Sequence, residues 1–433
     1  MLFSDITIID ESFEVQEHRW VGTQGARIVY VGSCAPAPEV AAACGEVVEG
    51  AGRLLMPGLY NAHSHAPMTL LRGYAENVPL QQWLGELVWP FEAKMSAEDM
   101  YWGMLLACAE AARYGTVSFS DMYFHEHHRA RAVAESGMKA NLCHTIIAGP
   151  ETGYVQASDY PYAEALFDEL DGSADGRVLM EYNIHGEYTT NPTFCREIAV
   201  HAARRAKGIH LHLSETRAEH EECKARHGGL TPLAYFDSIG VLDVPVCAAH
   251  CVWVDDEDIA LMVRRGVTAV LNPASNMKLG SGFAPVGKLL SAGVNVALGT
   301  DGMASNNNHD MFQDMYLLAT IYKGATLDPT CVSPADAVRA ATRGGALAQG
   351  RADCGLVKEG FRADLCMLDI TGVSWQPTHD ALRNLVFAGH GSDVVLTLCD
   401  GEVIYRDGAW PTIDVERASA EVCAAAKRII SEL

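Results

Sequence analysis

The sequence predicts a distorted (β/α)8 barrel of TIM type, joined to a small β-sandwich domain built from both chain ends. Three observations predict it. Between residues 57 and 355, apolar strand-like runs alternate with helical stretches, the signature of a parallel sheet. About eight such units fit the roughly 300 residues available, the usual extent of a closed barrel. Polar residues able to bind metal recur at the C-terminal ends of those runs, where the active face of such a barrel lies.

Taken in order, residues 1–56 read as short strands at 5–9, 26–32 and 47–50, with no helical period of useful length between them. An apolar run over 53–61 leads into His63-Ser64-His65. Helices are expected at 98–113, 129–136, 191–207, 255–265 and 333–342. Residues 208–211 lead into His212-Leu213-Ser214-Glu215, residues 244–249 into His250, and residues 294–300 into Asp301. Strands return at 363–369 and 394–401, where Asp400-Gly401 is a hairpin signal. Val415, Ala418, Val422, Ala425 and Ile429 stand at helical spacing and predict a terminal helix. Residues 1–56 and 356–433 are thus read as two parts of one β-rich domain, with that helix, and residues 57–355 as the barrel.

Composition narrows the partners. Of 433 residues, 49% are hydrophobic and 20% charged, which suits a packed globular chain rather than a disordered one. A formal net charge of −23 argues against binding nucleic acid or an anionic membrane surface. The first residues lack the basic start and apolar core of a signal peptide, and no apolar run reaches the ~18 residues of a membrane span. Thirteen cysteines are scattered without framework spacing, as expected of reduced, mostly buried thiols in a cytoplasmic protein.

The histidines and carboxylates suggest a metal centre. His63 and His65 are two apart in an extended segment, so both imidazoles face one side. His212 would add a third nitrogen; His210, deeper on the same alternation, is the competing ligand and reads better as support. Asp301 would supply oxygen. Imidazole with carboxylate suits zinc or iron, with one position left open for water. Glu215 lies past its strand end and can lean over the open side, with a surface carboxylate opening the next helix as the rival reading. His250 would face the water without ligating. His125-Glu126-His127-His128 looks like a metal patch but reads better as a polar helix start without function.

At this point the chain resembles the amidohydrolase superfamily, in the branch that deaminates methylthioadenosine, S-adenosylhomocysteine and related nucleosides. The resemblance rests on residues 56–65, 68–75, 213–216, 249–251, 272–279 and 298–307 and spans nearly the whole chain. It implies one divalent metal per chain, Zn2+ ahead of Fe2+ or Mn2+, on His63, His65, His212 and Asp301. It makes Glu215 and His250 proton-handling residues and puts His185 on the substrate. It places Glu92 on the ribose hydroxyls, with Trp83, Trp89 and Phe91 either walling the pocket or packing the loop. Ser305 would orient Asp301 beside the substrate. Residues 180–185 lack the lysine that bridges two metals in binuclear relatives. Self-association into a homo-oligomer is a further implication.

The reaction implied is hydrolysis of the 6-amino group of an adenine nucleoside to the inosine analogue and ammonia. The alternatives are a deaminase of a free purine or pterin base, a chlorotriazine-type hydrolase on the same scaffold, and an inactive relative used for binding. Residues 140–176 contain no Lys or Arg, although relatives that hold a homocysteine carboxylate place arginines there. A neutral 5′ group is therefore expected, with Arg72, His144 or a residue of another subunit as the groups able to compensate.

Overall fold

In the computed structural model, which describes residues 1–79 and 82–433, the two chain ends meet in one mixed sheet. The N-terminal part supplies β1 (Leu2–Ile9), β2 (Val15–Gln24), β3 (Arg27–Gly32), β4 (Val47–Glu49) and β5 (Arg53–Pro57). A seven-residue helix, Pro38–Cys44, interrupts them. It starts on a proline, which suits a first helical turn, and is too short to show a period in the sequence.

Gly58 separates β5 from β6 (Leu59–His65), and there the chain passes from the mixed sheet into the barrel. The barrel continues through β7 (Thr116–Tyr123), β8 (Lys139–His144), β9 (Val178–Ile184), β10 (Ile209–Leu213), β11 (Val246–His250) and β12 (Thr268–Leu271). It ends with β13 (Val296–Leu298) and β14 (Asp301–Gly302), two halves of one run broken at Gly299-Thr300. β13 pairs with β12 and β14 pairs with β6, both parallel, so the sheet closes on itself. Eight strand positions in sequence order make the barrel that the alternating pattern predicts.

The C-terminal part adds β15 (Leu365–Asp369), β16 (Val394–Cys399) and β17 (Glu402–Arg406), with β15 antiparallel to β5. The sheet order is β17-β16-β15-β5-β1-β2-β3, with β4 beside β1. Asp400 and Gly401 turn the β16–β17 hairpin with φ of 50° and 79°, the positive pair that a two-residue type I′ loop demands.

Helix ends follow their caps. Ser96 and Asp99 form a capping box before Ala97–Arg113, and Asp255 with Asp258 does the same before Asp256–Arg265. The terminal helix Val415–Ser431 buries Ala418, Val422, Ala425 and Ile429, the stripe its period predicts. Val422, Ala425 and Ile429 join a cluster with Met68, Leu71, Trp83 and Phe91, so this helix packs beside the barrel mouth. All thirteen cysteines are free. Among the described residues no helix is long and apolar enough to cross a membrane.

Candidate active site

β6 is buried along almost its whole length and presents His63 and His65 on one side. The register of β14 then supplies the carboxylate: Asp301 lies opposite Ser64, between the two histidines. Its Oδ1 is 3.4 Å from His63 Nε2 and 3.3 Å from His65 Nε2. His212 comes from β10, four strands round the barrel. Donor atoms of His63, His65 and His212 all lie within 4.8 Å of one another, and so do those of His63, His250 and Asp301.

The backbone is bent to achieve this. Ser214, His250 and Asp301 have φ of 49°, 74° and 62°, a left-handed conformation costing roughly 1–3 kcal/mol at each non-glycine residue. Three strand ends thus turn sharply at the site.

Hydrogen bonds fix which nitrogen each ring offers. His65 Nδ1 donates to the Met122 carbonyl and His212 Nδ1 to the His185 carbonyl, each at 2.6 Å. A carbonyl only accepts, so the proton sits on Nδ1 and the lone pair on Nε2. His63 Nδ1 pairs with His210 Nε2 at 2.9 Å. His63 Nε2 is buried with no protein partner. His210 is therefore the support behind His63, as its deeper position suggested, with Glu181 3.7 Å from its far nitrogen. Burial holds the pKa of His63 and His212 well below the ordinary imidazole value, which keeps both neutral, as a metal ligand must be. His65 differs: burial lowers its pKa, but the Asp301 carboxylate beside it wins and raises it to about 9, a proton that a cation would have to displace. Three imidazoles, one with an orphaned buried nitrogen, and a carboxylate fit one divalent cation.

The carboxylates and His250 are held as firmly. Asp301 Oδ2 accepts from Ser275 (2.6 Å) and Ser305 (2.9 Å), leaving Oδ1 for the centre. His250 Nδ1 donates to Asn276 Oδ1 at 2.9 Å, which turns Nε2 toward the site, 3.9 Å from Glu215 Oε2. Glu215 is buried, accepts from Ser281 at 3.4 Å, and has its pKa raised chiefly by that burial. Ser275 and Asn276 carried no role in the sequence reading. Their only signal was the length of the 272–279 run.

The amidohydrolase family model matches residues 54–404. The chain belongs to this family. It is 43% identical, over 87% of each chain, to a 5-methylthioadenosine/S-adenosylhomocysteine deaminase of Dictyoglomus thermophilum. It is 41% identical, over 89% of each chain, to a 5'-deoxyadenosine deaminase of Methanosarcina barkeri. A solved adenosine deaminase from Xanthomonas campestris with bound zinc superposes with a TM-score of 0.92, at 32% identity over 99% of this chain and 98% of that one.

In this amidohydrolase the metal-binding cluster opens into a cavity that reaches solvent. Trp83, Glu92, His185 and Glu215 line it. Trp83 donates its indole N–H to the Ala75 carbonyl at 3.1 Å, which sets the ring. Glu92 accepts from the Tyr123 hydroxyl at 2.6 Å, and burial raises its pKa. His185 donates or accepts at Thr189 Oγ1, 3.0 Å away, and burial pushes its pKa down to about 4. Trp89 also lines the cavity, whereas Phe91 is buried in the cluster behind it. Ser305 does not line the cavity; it touches Asp301 and the Gly302 carbonyl, so it orients the carboxylate rather than meeting a ligand.

Two expectations change. Glu126 is not an idle helix start: fully buried, it pairs with Arg129, which also grips Asp121. Asp121 in turn accepts from the Ala66 backbone and from Ser64, on both sides of His65. Neither Arg72 nor His144 lines the active-site cavity. Arg72 is spent on Glu110 and the Asn307 carbonyl, and His144 lies between Glu126 and Asp159.

Proposed function

We propose that this amidohydrolase hydrolyses the 6-amino group of an adenine nucleoside, releasing ammonia and the inosine analogue. The observation that carries the reading is one cavity lined by His65, His212 and Asp301, with His63 within ligand distance behind them, and by the buried Glu215 and half-buried Glu92. The relatives' activities on 5′-methylthioadenosine, S-adenosylhomocysteine and 5′-deoxyadenosine agree with it.

His63, His65, His212 and Asp301 would hold one divalent ion, Zn2+ by analogy with the zinc-bound adenosine deaminase. Such an ion supplies Lewis acidity that draws the pKa of water from 15.7 towards ~7. Asp301 accepts the proton of the water whose oxygen adds to C6. Glu215, able to carry a proton because it is buried, delivers it to the adjacent ring nitrogen, which breaks the aromaticity opposing attack. His250 Nε2, aimed by Asn276, stabilises charge growing on the added oxygen. Asp301 passes its proton to the amino group, the added hydroxyl gives its own to Glu215 as C6=O forms, and the C–N bond breaks to release ammonia. Each placed acid or base contributes about 10²–10⁴ in rate.

Glu92 receives the ribose: two carboxylate oxygens match two vicinal hydroxyls. Burial keeps His185 neutral, so it can donate or accept at the purine. The absence of Lys and Arg from the cavity walls among the described residues supports a 5′ substituent without a carboxylate. With this reading go self-association into a homo-oligomer, which light scattering tests, and a cytoplasmic location.

Ammonia release from purified, metal-loaded protein across adenine nucleosides, free purines and pterins is the test. Nucleosides are expected to react and free bases to lag far behind; Glu92→Gln is expected to raise KM for nucleosides. Turnover of free bases with none of nucleosides would overturn the assignment.

A further inference from the structure

We propose that the substrate pocket continues past Glu92 into a tail subsite that selects a 5′ substituent by charge, taking an amine-bearing tail in preference to a carboxylate-bearing one, with Asp159 as the selecting residue. This deepens the nucleoside reading and rests on it.

The cavity does not end at Glu92. Glu92 and Phe124 also border a second hollow, and Phe124, Thr145 and Ile147 border a third. These two hollows share Phe124, Ser158 and Asp159, and each shares wall residues with the cavity that holds the metal-binding cluster. Glu92 is a wall residue of both the cavity and the second hollow, so a 5′ tail on a nucleoside whose ribose hydroxyls meet it has this opening within reach. Phe124 and Ile147 offer apolar surface to a thioether or methylene stem, and Ile147 is 54% exposed, an apolar side chain at the mouth with nothing over it.

The charges along this space are one-sided. Among the described residues no Lys or Arg lines any of the three hollows. Asp159 does, with 57% of its side chain exposed. Behind the wall, the Arg129 guanidinium is fully buried between Asp121 and Glu126 and is already shared by both. His125 and His144, both on the wall of the second hollow, are the remaining cationic candidates, and His144 sits 3.0 Å from Glu126 and 3.6 Å from Asp159. Four carboxylates, Glu92, Asp121, Glu126 and Asp159, thus face one guanidinium and at most two imidazoliums, and burial lowers the pKa of one of these, His125. An incoming carboxylate would find no bidentate partner and would meet like charge.

Asp159 is also free for the task. It precedes the helix Tyr160–Leu170, yet its side chain caps no backbone N–H. The one side chain hydrogen-bonded to it is the Ser158 hydroxyl, at 3.0 Å. Its charge offsets the positive helix end that a carboxylate would otherwise use.

The test compares kcat/KM of the metal-loaded wild-type protein for three adenine nucleosides, whose 5′ thioethers end in methyl, primary amine or carboxylate on stems of equal length where they have one. The amine-tailed substrate is expected to exceed the carboxylate-tailed one by at least about 10-fold, the difference lying in KM because the tail is remote from the reacting carbon. Asp159→Asn is expected to shrink that ratio about 2- to 5-fold, and Asp159→Lys to shrink it further, the range open to one half-exposed ion pair. Equal or faster turnover of the carboxylate-tailed nucleoside, or a ratio that ignores both substitutions, would overturn the subsite alone. Hydrolysis of free bases with no nucleoside turned over would overturn the nucleoside reading with it.

Discussion

His63 Nε2 has no hydrogen-bond partner although it is fully buried, and an orphaned polar atom in a packed interior demands a reason. A bound cation gives one. His63→Ala is therefore expected to abolish metal retention in a protein that still folds, as read by elemental analysis and circular dichroism. His210 meets the centre through the back of His63, with Glu181 on its far side. Its replacement by Ala is expected to weaken metal affinity about 10- to 100-fold, the usual effect of losing a ligand's support, in a chelator competition. Unchanged affinity would reduce His210 to a space-filling residue. Glu215→Gln should keep the metal and lose about 10²–10⁴ in turnover, which separates proton delivery from metal binding. These ligands and acids were legible because each follows a strand-like run. Ser275, Asn276 and Asp121 were not. Serine and asparagine are common in any loop, and an orienting residue is known only by the atom it touches.

Among the elements, the broken eighth strand does the most for the site. A Cβ added at Gly299 would stand 2.8 Å from His63 Cβ, closer than side chains pack. Gly299→Ala is expected to push β14 off β6, lowering metal affinity and melting temperature together. An intact metal site in that variant would show that the strand can give way. The turn after β10 carries a pH signature. Glu219 forms the capping box of Arg217–Arg226 and also accepts from the backbone N–H groups of Ser214 (2.9 Å) and Glu215 (2.7 Å). Burial pushes its pKa from 4.5 up to about 7. The folded chain then binds that proton more tightly than the unfolded one, so stability falls as pH rises between those values. Glu219→Gln does not titrate. Its stability relative to wild type should rise between pH 5 and pH 8 in urea unfolding; a fall would contradict the sign.

Across the whole molecule, one buried polar knot ties the barrel to the mixed sheet. Lys139, at the start of β8, is 2% exposed and reaches Asp364 and Asp400, and the Tyr60 hydroxyl donates to Asp364. Lys139→Met would strand the buried Asp364, while Asp400 keeps Arg362 at 3.2 Å, and is expected to cost about 3–5 kcal/mol, measured by urea unfolding. We propose that the chain divides at 56/57 and 355/356, a split supported by the change of sheet at Gly58. The terminal helix crosses that division, since Val422, Ala425 and Ile429 pack with Trp83 and Phe91 beside the active-site mouth.

The sequence alone determined the barrel, the β-rich ends and the set of groups that could bind a metal, because strand alternation and polar strand ends are local patterns. Tertiary structure decided the rest. Whether His212 or His210 meets the centre depends on how far along β10 the centre lies, and the pairing of His210 with the back of His63 decides it. That Asp301 falls between His63 and His65 depends on the register of β14 against β6. That Arg72 and His144 stay off the walls of the main cavity depends on partners more than 10 residues away in sequence, Glu110 for one and Glu126 for the other. Contacts of that kind leave no period in a chain, since folding creates them by bringing distant segments together.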